Sequence, residues 1–587
     1  MNMTGRGVVA TMGRRAIVGL GLLALACGDD GGIRGSSFGG GTMSDDSTGG
    51  VDDTTGLVTS ISADGSTTMM SDSGTTTGDP DTTDDGDLDG TTGVAGDPCD
   101  DMDIPDINGL DENGDGIDGL LGCSVFVNQS VGSDLNDGIA IDDPVATIQR
   151  GIEISQTFDP PRMVLVAAGN YVETINLNSG VSLYGGYDPE TWDRDVYGNE
   201  TSITGTGTRT VIAESLATFV ELDGFTINAA SFASGSQSTY GVWVRDIPDN
   251  LLLIDYCTIN AGNAGRGADG MNGAAGEDGT NGGGAVGGNP GAGGPSACNA
   301  TGGNGGSGQS CPSTSGIDGA AGGDSTTVGQ GGPAGTSHCS GSCPSEGTDG
   351  SPGQPGHAGV NGAAGQAPTD GQGSFAGDGL WVPPTGSAGT RGNHGSGGGG
   401  GGAGGHDIDS SILCGWETGI GIGGGGGGGG SGGCGGQPGG SGQPGGGSFG
   451  VIAIQSSISV TNTAIFLGNG GDGGNGGLGG NGGLAGLAGS GATGINNGGE
   501  PGDGANGGNG GGGGGGGGGQ GGCGGASVGI ARVDASSVGI NNTSFHGGSA
   551  GSGGSGGQGG IRADGLNLQA PAGANGCQGF IADQATF

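Results

Sequence analysis

The placement of glycine constrains this chain more than any other feature of its sequence. Glycine supplies 164 of the 587 residues and is concentrated after Gly262. In these tracts it often recurs at every third position, as in Gly267, Gly270 and Gly273 or in Gly471, Gly474 and Gly477. Such a period predicts extended helices with three residues per turn, each with one face that carries no side chains.

The same period could also occur in a collagen triple helix or in a disordered chain. Collagen needs abundant proline and uninterrupted chains, whereas this sequence has 22 prolines and broken tracts. We therefore expect polyproline II-like helices that pack side by side through bare glycine faces, with disorder as the alternative. The pattern resembles the glycine-rich repeats of mycobacterial surface proteins and of glycine-rich antifreeze proteins. The unbroken runs at residues 397–402 and 510–519 lack side chains to fix their register, and we expect them to be loosest.

The N-terminus predicts the compartment. Three arginines precede an apolar run at residues 16–26, which is too short to span a bilayer and has the layout of a secretory signal. The sequence Ala24-Leu25-Ala26-Cys27 resembles a bacterial lipobox, which implies removal of residues 1–26 and lipidation of Cys27. This resemblance implies a chain anchored by lipid in the bacterial cell envelope, at the outer membrane or cell surface. A plain secreted protein is the alternative.

Residues 27–98 are dominated by Asp, Thr, Ser and Gly, with too little apolar area to offset the entropy of ordering. They are predicted to form a disordered tether. The formal net charge of −46 argues against nucleic acid as a partner.

An acidic segment at residues 99–123 follows. Asp111, Asn113, Asp115 and Gly116 match the first half of an EF-hand loop, but Gly122 occupies the position of the bidentate Glu. The segment resembles the Asp-rich calcium repeats of thrombospondin type 3 modules, which implies calcium held by Asp111, Asn113, Asp115 and Asp118. A polar turn closed by a disulfide between Cys99 and Cys123 is a second interpretation, compatible with the first. Calcium is the one cofactor that the sequence indicates.

From Val125 the sequence becomes that of a folded domain. Short apolar strands alternate with turns, and the fold is predicted to be mainly β. One helix is expected at residues 145–155, with Asp143 as its cap and Pro144 in its first turn.

The order Val125-Phe126-Val127, Gly132-Ser133-Asp134 and Val181-Ser182-Leu183-Tyr184-Gly185-Gly186-Tyr187 resembles the start of right-handed parallel β-helix domains of the pectin-lyase-like superfamily. The resemblance covers residues 124–265. It implies that the helix shields the open N-terminal end of the coil, which would otherwise expose strand edges.

Internal repeats extend this pattern. Three-strand units beginning near Tyr240, Phe449 and Ser527 each match one coil, and such units bury a core only by stacking. The predicted organisation is β-helix coils at 124–265, a glycine-rich insertion at 266–447, a coil at 448–468, an insertion at 469–526, and a final coil with a glycine-rich C-terminus at 527–587. The insertions are expected to leave successive coils at the same corner.

Twelve cysteines are present. With Cys27 lipidated and Cys257 in the coil core as a thiol, ten remain for disulfides, several of them in the long insertion, where cross-links would offset the missing hydrophobic core. His338, Cys339 and Cys343 could instead ligate a metal, but a second ligand pair is missing.

Many pectin-lyase-like proteins cleave acidic polysaccharides, but paired carboxylates at a defined separation are not visible here. No catalytic residue is predicted, and we expect a non-enzymatic surface lipoprotein with a structural or adhesive role. Its expected partners are the membrane, through the lipid anchor, and a polysaccharide or a surface protein. One alternative is a polysaccharide-binding or -cleaving protein that uses Tyr240, Trp243 and Arg245; another is an ice- or surface-binding protein.

Overall fold

The computed structural model describes Cys99 and residues 103–311, 315–323, 327–339, 346–369, 372–409 and 419–587. The predicted signal peptide, Cys27 and the predicted tether lie outside the described residues.

The described chain contains many short strands and little helix. In chain order the elements are β1 (Ser124–Val127), α1 (Ile148–Ser155), β2 (Met163–Ala167), β3 (Gly169–Tyr171), β4 (Ile175–Leu177), β5 (Leu183–Tyr187), β6 (Thr201–Thr204), β7 (Arg209–Glu214), β8 (Val220–Asp223), β9 (Phe225–Asn228), β10 (Thr239–Arg245), β11 (Leu252–Asp255), β12 (Thr258–Asn260), β13 (Ser374–Phe375), β14 (Trp381–Val382), β15 (Ile408–Asp409), β16 (Gly419–Ile420), β17 (Ser448–Ile454), β18 (Ser457–Thr461), β19 (Ala464–Asn469), β20 (Ser527–Val533), β21 (Ser537–Asn541), β22 (Ser544–Ser549) and β23 (Ile581–Thr586).

Three long parallel sheets contain most of these strands. Sheet A has seven strands in the order β1-β2-β5-β8-β11-β18-β21. Sheet B has the order β3-β6-β9-β12-β19-β22, and sheet C the order β4-β7-β10-β17-β20-β23. From β2 onward the chain visits sheets A, B and C in rotation, and each circuit adds one parallel strand to each sheet. The prediction of a mainly β fold is confirmed.

One hydrophobic core joins the three sheets. Leu222 of sheet A, Ile227 of sheet B and Val242 of sheet C are all fully buried members of the same cluster. Their neighbours along each strand point outward, as the two-residue period of a strand requires. Because every circuit contributes to this cluster, each strand gains stability from the strands one circuit before and after it.

Helix α1 packs against β1, β2 and β4, near the first circuit, through Ile148 and Ile152. The predicted cap was wrong. The N-cap is Thr147, whose side chain accepts a hydrogen bond from the Arg150 N–H. Val145 is extended and exchanges backbone hydrogen bonds with Phe126 and Asn128, because pairing with β1 satisfies its backbone before the helix begins.

The glycine-rich insertions all occupy the same corner of the circuit. They connect β12 to β17, β19 to β20 and β22 to β23, so each leaves a strand of sheet B and enters a strand of sheet C. In an earlier circuit the same connection, between β6 and β7, consists of residues 205–208. The insertions therefore stack on one another as extensions of one turn.

The register of sheet B continues into the glycine tracts. Asn469 at the end of β19 donates its N–H to Asn263 Oδ1, a sequence separation of 206. Farther out, Asn475 and Leu487 donate to Asp269 and Asn281 with the same separation of 206. The next pair of tracts keeps a separation of 80, as between Ser552 and Asp472. The strand pairing thus sets the alignment of the tracts that follow it.

The unbroken glycine runs lie inside the bundle. Successive N–H groups of Gly400, Gly401 and Gly402 donate to Ala320, Gly427 and Ser351, which belong to three different tracts. The carbonyl oxygens of the same three residues accept hydrogen bonds from the N–H groups of Gly332, Gly306 and Ala505, which belong to three further tracts. The pattern repeats every three residues, so this run has three residues per turn and six neighbouring tracts. A Cβ added at Gly400 would overlap the Asn304 carbonyl oxygen.

The expectation that the runs at 397–402 and 510–519 are the loosest parts of the glycine tracts was wrong. Both runs are buried throughout, and both are tied to neighbouring tracts by backbone hydrogen bonds. A tract at the surface needs glycine only where it faces a neighbour, whereas an enclosed tract needs it on all three faces. Register is fixed by these N–H groups, without side chains.

Candidate functional site

The residues predicted to contact a glycan do not form an accessible surface. Tyr240 and Trp243 are each only 1% exposed. The hairpin of β13 and β14, part of the long insertion, folds over them, and Tyr240 accepts a hydrogen bond of 2.8 Å from the Trp381 N–H. Neither side chain can therefore bind a sugar at the surface, and this part of the prediction is corrected.

Arg245, the third predicted contact, has a side chain that is 30% exposed and engaged in ion pairs. Its Nε lies 3.2 Å from Asp246 Oδ2, and its Nη1 lies 3.9 Å from Glu214 Oε1. The guanidinium next to Trp243 belongs instead to Arg209, 4.0 Å from the ring centroid.

The predicted calcium loop is folded, but its side chains bind the backbone. Asp111 accepts hydrogen bonds from the N–H groups of Gly114 at 2.6 Å, Asp115 at 3.0 Å and Gly116 at 2.8 Å. Asn113 accepts from the Asp115 N–H at 2.8 Å. These oxygens hold the tight turn that the sequence indicates.

Asp118 makes its contacts outside that loop. Its side chain is buried, accepts from the Asp106 N–H at 3.2 Å, and lies 3.7 Å from Arg194 Nη1. One carboxylate oxygen of Asp118 lies within 4.8 Å of oxygens from Asp103 and Glu112. The structure therefore places Asp118 in a different group from the one predicted. Sequence spacing gave no signal for Asp103 or Glu112, because neither falls on the alternating positions of a calcium loop.

The acidic segment is fastened to the outer face of sheet A. Cys99 and Cys123, the predicted pair, are joined by a disulfide. Ile117 packs in a cluster with Phe126 and Trp192, and the Tyr187 hydroxyl donates to the Asp118 carbonyl at 2.6 Å. The segment is thus held by covalent, apolar and polar contacts.

Arg194 lies between two groups of carboxylates, one from the acidic segment and the other from strands β8 and β11 of sheet A. On one side is the group of Asp103, Glu112 and Asp118; on the other is the group of Glu221, Asp223 and Asp255. The Arg194 side chain is 1% exposed and forms ion pairs with Asp118 and Asp223. It also donates to the carbonyl oxygens of Gly185 and Asp106.

Burial dominates the electrostatics of this region. It raises the pKa of Asp118 to about 7 and that of Asp223 to about 6, although the Arg194 charge lowers both. Burial also raises the pKa of Glu221, which accepts a hydrogen bond from the Tyr184 hydroxyl at 2.9 Å. Carboxylates outnumber the guanidinium that pairs with them, so the arrangement favours binding of positive charge.

The described cysteines are either paired or buried. Cys298 is bonded to Cys434, Cys311 to Cys339, and Cys523 to Cys577. Cys257 is a buried free thiol in the core, where the sequence placed it. His406 Nε2 approaches Cys339 Sγ at 3.0 Å, but that sulfur belongs to a disulfide. Cys343, for which the sequence favours a disulfide over a metal site, lies outside the described residues.

Comparisons with protein-family models, with curated proteins and with solved structures find no match to this chain. Among the helices of the described residues, none has the length and hydropathy needed to cross a membrane.

Proposed function

We propose that this protein is a non-enzymatic lipoprotein of the bacterial cell surface with a structural or adhesive role. In this proposal, the three sheets form a right-handed parallel β-helix of the pectin-lyase-like kind. The glycine tracts form a polyproline II-like bundle on one corner of it, and Cys27 carries the lipid anchor. The observation that supports it best is the register shared by sheet B and the glycine tracts, with a separation of 206 from Asn263–Asn469 outward.

A shared register turns the insertions into one ordered body rather than separate loops. Backbone groups in the tracts are paired with neighbouring tracts, so the bundle extends the sheets without needing a hydrophobic core of its own. A surface of this kind is fixed in shape before it meets a partner, which lowers the entropic cost of adhesion.

The outer rows of the bundle present apolar side chains on this ordered backbone. Met271, Leu484 and Leu487 are 85%, 62% and 59% exposed. Exposed apolar side chains on an ordered backbone are available for contact with another macromolecule. By contrast, the aromatic residues on which the polysaccharide-binding alternative relied are buried, which weakens that alternative.

The proposal can be tested with the full chain, including its N-terminal signal, in a bacterial host with an outer membrane. We expect the N-terminal peptide of the mature protein to begin at Cys27 with a mass that includes acyl chains, and the protein to fractionate with membranes. Protease added to intact cells should cleave it. The Cys27→Ser variant should lose the acyl mass and the membrane association while keeping the same folded domain.

Assays of adhesion and of polysaccharide cleavage then distinguish a structural or adhesive role from an enzymatic one. Cells that display the wild-type chain should bind surfaces or neighbouring cells more than cells with the Cys27→Ser variant. Product formed from any of a panel of uronic-acid polymers would refute the non-enzymatic proposal. An unmodified mature N-terminus would refute the lipid anchor.

A further inference from the structure

The group of Asp103, Glu112 and Asp118 has an unsatisfied member at its centre. The Asp103 side chain is 1% exposed, and both of its carboxylate oxygens are buried. Among the described residues, neither oxygen accepts a hydrogen bond from an N–H or hydroxyl group. A buried carboxylate without donors is strongly destabilising unless a cation or a proton compensates it.

The neighbouring carboxylates place more negative charge close to Asp103. One oxygen from each of Asp103, Glu112 and Asp118 lies within 4.8 Å of the other two. Arg194 lies 3.7 Å from Asp118 but is shared with Asp223, so its charge leaves Asp103 and Glu112 uncompensated. The three oxygens converge from a segment closed by the disulfide between Cys99 and Cys123.

We infer that Asp103, Glu112 and Asp118 form a binding site for a hard divalent cation, Ca²⁺. The donors are carboxylate oxygens, which suit Ca²⁺, Mg²⁺ and Mn²⁺ rather than soft metals. Ca²⁺ accepts irregular coordination and takes additional carbonyl or water oxygens, whereas Mg²⁺ demands a near-ideal octahedron. Glu112 is exposed and provides the route by which the ion and its remaining waters reach the buried pair.

This site differs from the one that the sequence predicts. The oxygens of Asp111 and Asn113 are engaged with backbone N–H groups of their own turn, whereas those of Asp103 have no such partner. A bound ion would connect the start of the acidic segment to Asp118, whose carbonyl is held by Tyr187 of sheet A. It would therefore fasten the segment to the sheet.

Calcium titration of the full mature chain, with its disulfides oxidised and its ions removed by EDTA and dialysis, tests the site. Calorimetry should show Ca²⁺ binding with a dissociation constant on the order of 10⁻⁴ to 10⁻³ M, the range of extracellular modules. Mg²⁺ should bind more weakly. Asp103→Asn and Glu112→Gln should each weaken Ca²⁺ binding by about tenfold or more, since affinity follows the ligand charge. The exposed Asp142→Asn change is the matched control and should bind as wild type.

Thermal unfolding without calcium shows whether the variants fold. Asp103→Asn should melt at or above the wild-type temperature in EDTA, because it removes an uncompensated buried charge, yet it should lose the calcium-induced rise. Asp111→Asn keeps the side-chain oxygen and should retain that rise. Absence of calcium binding by the wild type would overturn the inference in favour of a proton shared by Asp103 and Glu112. Loss of binding in Asp111→Asn but not in Asp103→Asn would overturn it in favour of the loop.

Discussion

The interior of the three-sheet region and the interior of the glycine bundle are filled in opposite ways. In the circuits, backbone pairing runs within sheets, and large side chains such as Ile227 and Phe225 fill the space between them. In the bundle, tracts pack around one another, and around the unbroken glycine runs the space between them is filled by backbone. One region therefore depends on side-chain volume, and the other depends on its absence.

This contrast explains why the two regions differ so much in amino-acid composition. A β core tolerates several apolar residues of suitable volume at each position. In the unbroken runs at 397–402 and 510–519, a Cβ added at any position would overlap a neighbouring carbonyl oxygen, so these positions accept only glycine. Low complexity in the unbroken glycine runs is thus the signature of dense packing.

The largest expected effect is in the core. Ile227→Ala removes a fully buried side chain and should cost about 2–5 kcal/mol of stability through lost transfer energy and the remaining cavity. Hydrogen exchange should quicken in all three sheets, because their side chains share one cluster. The exposed Val172→Ala change should have little effect. A loss confined to sheet B would show that the circuits are not one cooperative unit.

Loss of disulfides should destabilise the glycine bundle more than the three-sheet region. The disulfide between Cys298 and Cys434 spans a sequence separation of 136, and its loss by the double change to Ser should cost about 2–4 kcal/mol. We expect reduction to raise hydrogen exchange at residues 290–440 more than at 124–260. Cys257→Ala, which removes the buried thiol without touching a disulfide, is the control. Equal protection of both regions after reduction would contradict the contrast.

Replacing one enclosed glycine with alanine tests how closely the tracts of the bundle are packed. Gly400→Ala places a Cβ against the Asn304 carbonyl, and we expect a loss of about 1–3 kcal/mol, the usual cost of overpacking. Gly207→Ala, where an added Cβ meets nothing within 4 Å, should leave stability nearly unchanged. The two variants can be compared by thermal unfolding. If both behave alike, the enclosed tracts are not closely packed.

The smallest expected effect is a difference in pH dependence between the regions. In the circuits, burial raises the pKa of Asp223 from 3.8 to about 6. The stability that Asp223 contributes is therefore present below about pH 4 and is lost as the pH rises to about 6. Asp223→Asn should gain stability relative to wild type across that interval, measured as the difference in unfolding free energy.

In the bundle, the expected change of stability with pH has the opposite direction. The N–H of Asn475 donates to Asp269 and lowers its pKa below 3.8. Its contribution is present above that value and is lost as the pH falls below it. Asp269→Asn keeps an acceptor oxygen and should flatten this acid loss. Matching pH trends for the Asp223 and Asp269 variants would remove the distinction.

Much of the circuit region could be predicted from local pattern. The segments around Tyr240, Phe449 and Ser527 are strands at the expected places, since short apolar runs between turns have few alternatives. The start of the helix could not, because Val145 is drawn into pairing with β1 rather than into the helix. The C-terminal strand β23 could not be predicted either, because the four residues between Ile581 and Thr586 are Ala, Asp, Gln and Ala, which rarely favour strands.

The candidate site was harder to predict. The loop of Asp111 to Gly116 follows local spacing and was recognised, whereas Asp103 and Glu112 meet Asp118 only after the segment folds back on itself. Arg194 joins them from a turn far along the chain. The sequence predicts that Trp243 is available for binding, because nothing local shows that β13 and β14 return to cover it.

The sequence by itself determined the period of three, the strand units, and the corner at which the insertions leave them, because these depend on steric rules that act between near neighbours. Tertiary structure decided which glycine runs are enclosed, which aromatic residues are hidden and which carboxylates meet. Those outcomes depend on contacts between residues as far apart as Asn263 and Asn469. Such contacts exist only once the strands have set the register for the tracts.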